Sequence, residues 1–295
     1  MNPQDTNRWK SETLDQVLLA FAAHPQLRGV LIFKGARILN LRLGMVSRQS
    51  LDIDSNLDFS FTVHHASLAD QQEYLQRECQ AALERFFENQ DPIRYEVVVV
   101  RIEMKPADGE HPFGWTGFLL KIRLRDRMKP GVLGLPSIEL DVASPETLGP
   151  GAVSELQVGD QTLRAYSLER IAGEKLRAFL SSQPAYIAKI RRRTDTRRVK
   201  DLYDLARIRR KHPITEASFW RMAGGEFKLA CESRFIDCAG LATFGEGLEQ
   251  IQTLYEKDLT IPRDIDFAEA WETIKQIVLF FERHGIIPFR FELPG

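Results

Sequence analysis

Two aspartates stand two residues apart in the segment Leu51-Asp52-Ile53-Asp54. In an extended strand, residues i and i+2 point to the same face, with Cα atoms about 7 Å apart. Carboxylates placed in this way can converge on Mg²⁺, which completes its coordination with water and phosphate oxygens. The spacing therefore indicates phosphoryl or nucleotidyl transfer, with Asp52 and Asp54 as the metal ligands.

A third acid would complete such a site, and Asp141 is the best candidate. It lies on the polar face of a short apolar strand predicted over 137–142. The alternative is a solvated strand face, on which Asp52, Asp54 and Asp58 only keep the strand soluble. Asp is depleted in strands, so three on one face call for an explanation. Asp58 would take the place of Asp54 if the register of the strand differed.

A glycine turn follows the first predicted strand, in the sequence Lys34-Gly35-Ala36-Arg37. Free backbone N–H groups at the start of a helix bind phosphate, and glycine permits a close approach of the ligand. Lys34 or Arg37 would add positive charge. A strand–glycine–helix junction is more often only a turn, and this one lacks the further glycines and the Lys-Ser/Thr end of a Walker loop.

A lysine on an apolar stripe is the next unusual feature. A helix is predicted from Ser167 to Phe179, and Lys175 shares its apolar side. Such a lysine either extends its amine to solvent or meets an anion in a cleft. Asp201 and Asp204, neighbours on a later helix, could hold it by a salt bridge, or could be ordinary surface charges.

Positive charge is concentrated near residues 189–200. The run contains Lys189, Arg191, Arg192, Arg193, Arg197, Arg198 and Lys200, with Asp195 as its only acid. RNA phosphates or a nucleotide would be attracted to such a patch. A solvated charge run or a face that binds a protein partner is the alternative.

The elements that position these residues follow from the spacing of the apolar side chains. The pattern predicts helices over 11–24, 35–43 and 68–89, and strands over 29–33, 51–62, 94–103, 116–125 and 137–142. After Pro145 the patterns become mostly helical. We therefore expect an α/β (α+β) fold, with an α/β domain over 1–150 and a helical domain over 151–295.

Composition limits the classes of protein to consider. The chain has 295 residues and a net charge of -1, so any attraction to nucleic acid or membrane must be local. Three cysteines without the close pairs of a zinc site indicate a reducing compartment. There is no signal-peptide pattern and no apolar run of about 20 residues. We expect a cytoplasmic protein without a membrane span.

Together these motifs resemble those of the AbiEii/AbiGii-type nucleotidyltransferase toxins of type IV toxin–antitoxin and abortive-infection systems. The resemblance covers roughly 28–61 and 138–210. It rests on the order Lys34-Gly35, Arg48-x-Ser50-x-Asp52-x-Asp54, Asp141, Glu174-Lys175-Leu176 and Lys200-Asp201-Leu202-Tyr203-Asp204-Leu205. The family usually has Gly-Gly or Gly-Ser after the first strand, where this chain has Gly35-Ala36.

The resemblance implies a small mixed-sheet nucleotidyltransferase core followed by a mainly helical part. It implies that Asp52 and Asp54 bind Mg²⁺, with Asp141 as the third carboxylate, and that Lys175 and Asp201 are catalytic. Lys34, Gly35, Arg37, Ser50 and Lys175 are the candidate nucleotide-binding residues. The Arg191, Arg192, Arg193, Arg197 and Arg198 run is the candidate RNA-binding patch.

The implied reaction is Mg²⁺-dependent transfer of a nucleotide from an NTP to an acceptor hydroxyl, at a tRNA 3′ end, in a protein controlled by a cognate antitoxin. Two alternatives remain open at the level of the sequence. One is an NTP-dependent protein kinase or nucleotidylating enzyme, whose acceptor is a protein side chain. The other is a catalytically degenerate module that only binds NTP.

Overall fold

The computed structural model describes residues 2–45, 48–132, 134–191 and 197–294. The chain divides into two units, which are described separately. The first contains residues 1–41, 49–146 and 154–165, and the second contains 42–48, 147–153 and 166–295.

A seven-stranded mixed sheet belongs to the first unit, apart from the terminal residues Val153 and Tyr166. Its strands are β1 (Leu31–Lys34), β2 (Ile53–Leu57), β3 (Tyr95–Lys105), β4 (Gly117–Asp126), β5 (Ile138–Ala143), β6 (Val153–Val158) and β7 (Gln161–Tyr166). Their order is β3-β4-β5-β2-β1-β7-β6. β2 runs parallel to β5 and antiparallel to β1, and β1 runs parallel to β7. The α/β fold class is confirmed.

Five helices lie before or between the first three strands. They are α1 (Pro3–Ala23), α2 (Pro25–Val30), α3 (Gly35–Leu43), α4 (Phe59–His64) and α5 (Leu68–Glu88). The predicted helices over 35–43 and 68–89 are thus confirmed. α1 contacts β5 and α5 contacts β3, so these two helices cover one face of this part of the sheet.

The opposite face of β3, β4 and β5 is open to solvent. In β4, Phe118, Leu120, Ile122 and Leu124 are buried, and the side chains between them point away from the core. This alternation is the pattern of a sheet that is packed on one side only. The exposed side chains on the open face include Arg101, Lys105, Arg123, Arg125, Glu139 and Asp141.

The second unit is mainly helical. Its helices are α6 (Leu168–Leu180), α7 (Pro184–Lys189), α8 (Lys200–Lys211), α9 (Ala217–Glu232), α10 (Leu241–Phe244), α11 (Leu248–Lys257) and α12 (Phe267–Arg283). α6 packs on α8 and α9. Gly173 permits the close approach of α9, because a Cβ at this position would lie 2.6 Å from the backbone nitrogen of Phe227. No helix in the described parts of the chain is long and apolar enough to cross a membrane.

The strand predicted over 51–62 is wrong beyond Leu57. Asp58 is the N-cap of α4, where its carboxylate accepts a hydrogen bond from the Ser60 backbone nitrogen at 2.9 Å. In a helix, residues i and i+2 no longer share a face, and Phe59 is 72% exposed while Phe61 is buried. The alternative in which Asp58 replaces Asp54 is therefore wrong, because Asp58 caps a helix and pairs with Arg164.

Candidate active site

Three charged residues occupy neighbouring positions across the middle of the sheet. Asp54 of β2 lies opposite Lys34 of β1 and opposite Asp141 of β5. Register partners on adjacent strands project to the same face, about 5 Å apart. The structure thus brings together Lys34, Asp54 and Asp141, which are widely separated in the sequence.

The glycine turn lies directly against Asp54. Gly35 has φ +83°, a conformation that residues with a Cβ rarely adopt. A Cβ on Gly35 would overlap Oδ2 of Asp54, and it would lie 3.1 Å from Cγ and 3.2 Å from Cβ of the same residue. Only glycine therefore leaves room for this carboxylate beside the first turn of α3.

Asp52 immediately precedes β2 and is exposed. Its Oδ1 accepts a hydrogen bond from the Ser50 hydroxyl at 2.8 Å. The Ser50 carbonyl in turn accepts a hydrogen bond from the Arg37 guanidinium at 2.5 Å, and Arg37 also pairs with Asp15 of α1. Because Arg37 is only 7% exposed, its position fixes the segment that carries Asp52.

Two further ion pairs surround the carboxylates. Lys34 Nζ lies 3.7 Å from Oε1 of Glu146, whose side chain is 5% exposed. Lys105, at the end of β3, pairs with Asp141 across β4. Sequence reasoning missed Glu146 and Lys105, because both pairings depend on the strand order and on no local pattern.

Among residues 2–45, 48–132, 134–191 and 197–294, no group of three or more His, Cys, Asp or Glu side chains is arranged to hold a metal ion. Mg²⁺ at nucleotide sites usually takes one or two carboxylates and completes its shell with water and phosphate oxygens. The pair formed by Asp54 and Asp141, with Asp52 two residues earlier, has the donor chemistry for that arrangement.

In the second unit, Lys175 of α6 contacts two carboxylates of α8. Its Nζ lies 2.8 Å from Oδ1 of Asp201 and 2.7 Å from Oδ2 of Asp204. The predicted salt bridge is confirmed, and both aspartates form it. All three residues are buried, so Lys175 does not extend its amine to solvent.

Two arginines flank this cluster. Arg48 donates to Asp204 at 2.9 Å, and Arg198 donates to Asp201 at 2.7 Å. Burial alone would lower the pKa of Lys175, but Asp201 and Asp204 outweigh it and raise the pKa above its usual value. Burial alone would raise the pKa of Asp201, but Lys175 and Arg198 lower it to about 2. The cluster therefore keeps its lysine and its aspartates ionised at neutral pH.

The arginines of the predicted RNA-binding patch do not share one environment. Arg192 and Arg193 lie outside the described residues. Arg191 is exposed, whereas Arg197 is buried and donates to the Ser182 carbonyl at 3.2 Å. Arg198 is engaged with Asp201. Arg197 is therefore a buried, hydrogen-bonded residue and not a surface charge.

Comparison with known proteins gives a family for the chain. A solved structure similar to it is the solution structure of antibiotic-resistance factor ANT(2'')-Ia, described as revealing substrate-regulated conformation dynamics. That structure has 15% sequence identity and a TM-score of 0.28, over 83% of this chain and 91% of that one. No curated protein matches the chain. The family model for the nucleotidyl transferase AbiEii toxin, type IV TA system, matches residues 16–285. The resemblance is thus confirmed, and the chain belongs to the nucleotidyl transferase AbiEii toxin family of type IV toxin–antitoxin systems.

Proposed function

We propose that this nucleotidyltransferase moves a nucleotide from an NTP to an RNA hydroxyl at a tRNA 3′ end, in a reaction that depends on Mg²⁺. The acceptor oxygen bonds to the α-phosphorus, and pyrophosphate leaves. The observation that supports this proposal best is the placement of the Asp54 carboxylate. It lies between Lys34 and Asp141 in the register of the sheet and directly against the Gly35 turn.

Asp52 and Asp54, with Asp141 beside them, would hold the metal ion. When bound, Mg²⁺ neutralises phosphate charge and makes the attacking hydroxyl more acidic. The backbone N–H groups at the start of α3 bind the phosphates, as helix N-termini do. Lys34 adds positive charge at the same end of β1. Such transfer depends mainly on positioning and electrostatic stabilisation.

We assign acceptance of the hydroxyl proton to Asp141. Its side chain is 54% exposed, so an acceptor can reach it. Asp201 is a weak proton acceptor, because the Lys175 ammonium and the Arg198 guanidinium hold its pKa at about 2 against the effect of burial. We propose that Lys175 supplies a fixed positive charge to the reaction and that Asp201 keeps the ammonium in place.

Arg37 is better explained as a positioning residue than as a phosphate ligand. Its guanidinium is occupied by Asp15 and by the carbonyl of Ser50. Ser50 in turn orients the carboxylate of Asp52. These contacts connect α1 to the metal-binding segment. The phosphates would then be bound by the backbone of the glycine turn and not by Arg37.

A labelling experiment tests the proposal. The purified protein is incubated with Mg²⁺, each of the four labelled NTPs and total tRNA. We expect label in the RNA, reduced about 100-fold or more by Asp54→Asn and by Lys175→Met. Asp58→Asn is the matched control, because it changes a nearby aspartate that caps α4 and retains a hydrogen-bond acceptor there.

Two results would contradict the proposal. Labelling by Asp54→Asn at the wild-type rate would remove Asp54 from the site. Label found in a protein chain by intact-mass spectrometry, with none in the RNA, would replace the RNA acceptor by a protein side chain.

A further inference from the structure

The open face of β3, β4 and β5 carries cations that the carboxylate site does not use. Arg101 of β3 lies directly opposite Lys121 of β4, and Arg123 is two residues further along β4 on the same face. Like charges placed directly opposite each other on a sheet are destabilising. Glu103, two residues from Arg101 on the same face, offsets part of this repulsion by pairing with Lys121.

Most other charges on this face are paired. Lys121 Nζ lies 2.7 Å from Glu103, Arg125 lies 3.1 Å from Glu96, and Lys105 pairs with Asp141. Within the described part of the chain, Arg101 and Arg123 form no ion pair, and both are exposed. Both guanidiniums are therefore available to a ligand, although Glu103 lies near Arg101 and Glu139 lies opposite Lys121.

The face is continuous with the carboxylates. Lys121 lies opposite Glu139 of β5, and Leu119, two residues earlier on β4, lies opposite Asp141. Asp141 in turn lies opposite Asp54. A chain bound to Arg123 and Arg101 therefore has a direct path over β4 to Asp141, at a spacing of about 5 Å per strand and about 7 Å per two residues.

A group of partly buried rings lies in the loop of the β3–β4 hairpin. His111, Phe113 and Trp115 lie within 4.8–5.9 Å of one another, measured between ring centroids. Aromatic rings and cations are together the usual elements of single-stranded nucleic-acid binding, because bases stack on the rings while cations contact the phosphates.

The edge of the sheet is less suitable for a partner than its face. Gln76 of α5 accepts from the Ile102 backbone nitrogen at 3.0 Å and donates to the Val100 carbonyl at 2.8 Å. Gln72 donates to the Ile102 carbonyl at 2.7 Å. These side chains satisfy the outward backbone groups of β3, so an added strand would have to displace them.

We infer that the open face of β3–β5 binds the single-stranded 3′ segment of the acceptor RNA. Arg101 and Arg123 contact its phosphates, and the His111, Phe113 and Trp115 rings stack on its bases, so that the terminal hydroxyl reaches Asp141. This inference rests on the proposed function, since it specifies the path of the acceptor to that site.

The test compares a double variant on the open face with a single control variant on the other face of the sheet. The double variant Arg101→Gln, Arg123→Gln removes the two available guanidiniums. Arg77→Gln removes an exposed arginine from α5, which packs on the other face of the sheet. Binding of fluorescein-labelled tRNA is measured by anisotropy between 50 and 300 mM salt, roughly the range in which phosphate contacts dominate, without NTP. Transfer kinetics are then measured with NTP and tRNA varied separately.

We expect the double variant to bind tRNA about tenfold more weakly at low salt, and the slope of log K against log[salt] to fall by about 1.4, which corresponds to two phosphate contacts on a single strand. KM for tRNA should rise, with kcat and KM for NTP unchanged. A Trp115→Ala variant should weaken tRNA binding without changing the salt slope. Arg77→Gln should behave as the wild type in every measurement.

Unchanged tRNA binding and an unchanged salt slope in the double variant would overturn the inference, even if Asp54→Asn still abolished labelling. Conversely, weakened tRNA binding in the double variant, together with wild-type protein that labels no RNA, would support the surface and refute the proposed function. Loss of binding to a protein partner in the double variant, with tRNA binding unchanged, would assign the face to that partner and overturn the inference.

Discussion

Replacing Gly35 with alanine tests the contact between the glycine turn and Asp54. The Gly35 backbone has φ +83°, and a residue with a Cβ in the left-handed region costs about 1–2 kcal/mol. The new Cβ would also overlap the Asp54 carboxylate. Because the Asp54 Cβ itself lies 3.2 Å from that position, rotating the side chain moves its oxygen away without relieving all of the contact.

The two consequences of Gly35→Ala can be separated. The backbone strain lowers the free energy of unfolding, and the overlap displaces a proposed metal ligand. Gly44→Ala is the matched control, because Gly44 has φ +68° and a Cβ there would have no neighbour within 4 Å. Each variant should therefore lose about 1–2 kcal/mol of stability, or roughly 2–8 °C in Tm. Only Gly35→Ala should also move Asp54.

The assay is the initial rate of labelled-nucleotide transfer at saturating NTP, with Tm measured on the same preparations. A misplacement of about 1 Å in a catalytic group can cost about 100-fold in rate. We expect a loss of that order for Gly35→Ala and a rate close to wild type for Gly44→Ala. Equal transfer rates in the two variants would show that the position of Asp54 beside the turn does not affect catalysis, and would refute its assignment as a metal ligand.

Two other predictions concern aspartates with different roles. Asp201 has a pKa lowered to about 2 from 3.8. Its ionised form therefore contributes roughly 2 kcal/mol of stability, which is present above about pH 4 and lost as the pH falls towards 2. Urea unfolding between pH 7 and pH 2.5 should show this loss in the wild type and not in Asp201→Asn, and parallel curves of stability against pH would contradict the prediction. Asp58→Ala removes the N-cap of α4 and the ion pair with Arg164, which should lower the free energy of unfolding by about 1 kcal/mol, measured by thermal unfolding. The variant should transfer nucleotide at the wild-type rate. A loss of transfer would challenge the assignment of Asp54 as the metal ligand on β2.

The strands that the sequence predicted well are those that pack on one face only. The pattern placed β3, β4 and β5 within two residues of their bounds, because each alternates between a packed face and an open face. β2 was extended too far because an N-cap such as Asp58, followed by alternating aromatic residues, resembles a continuing strand. Tertiary structure, not local spacing, decides between the two.

The sequences of β6 and β7 have no pattern of apolar residues from which we predicted a strand. β6 is at the edge of the sheet, and none of its residues is fully buried. An edge strand with this exposure needs no regular apolar alternation, so its sequence does not differ from that of a polar loop. The two strands are recognised only through the pairing of β7 with β1 at Phe33 and Ala165.

In the candidate site too, local sequence predicts some features, and long-range contacts determine the others. Local spacing placed Asp54 and Asp141 on strands, but only the strand order makes them neighbours. Lys34 joins them because β1 lies on the other side of β2. No feature of the three segments taken separately specifies that order, which arises from packing across the whole sheet.

Lys175 shows what a sequence pattern can and cannot establish about a charged group. Its place on an apolar stripe predicted that the amine must meet an anion or reach solvent, and the structure supplies two buried carboxylates. Replacing a buried ion cluster with apolar side chains of similar volume is often neutral or stabilising, because desolvation of the charges costs about as much as their attraction returns. The stability that ionised Asp201 contributes within the cluster is therefore not a sufficient reason for burying these charges instead of apolar side chains. We propose that the cluster is charged because it holds the Lys175 ammonium as a fixed positive charge for nucleotide transfer.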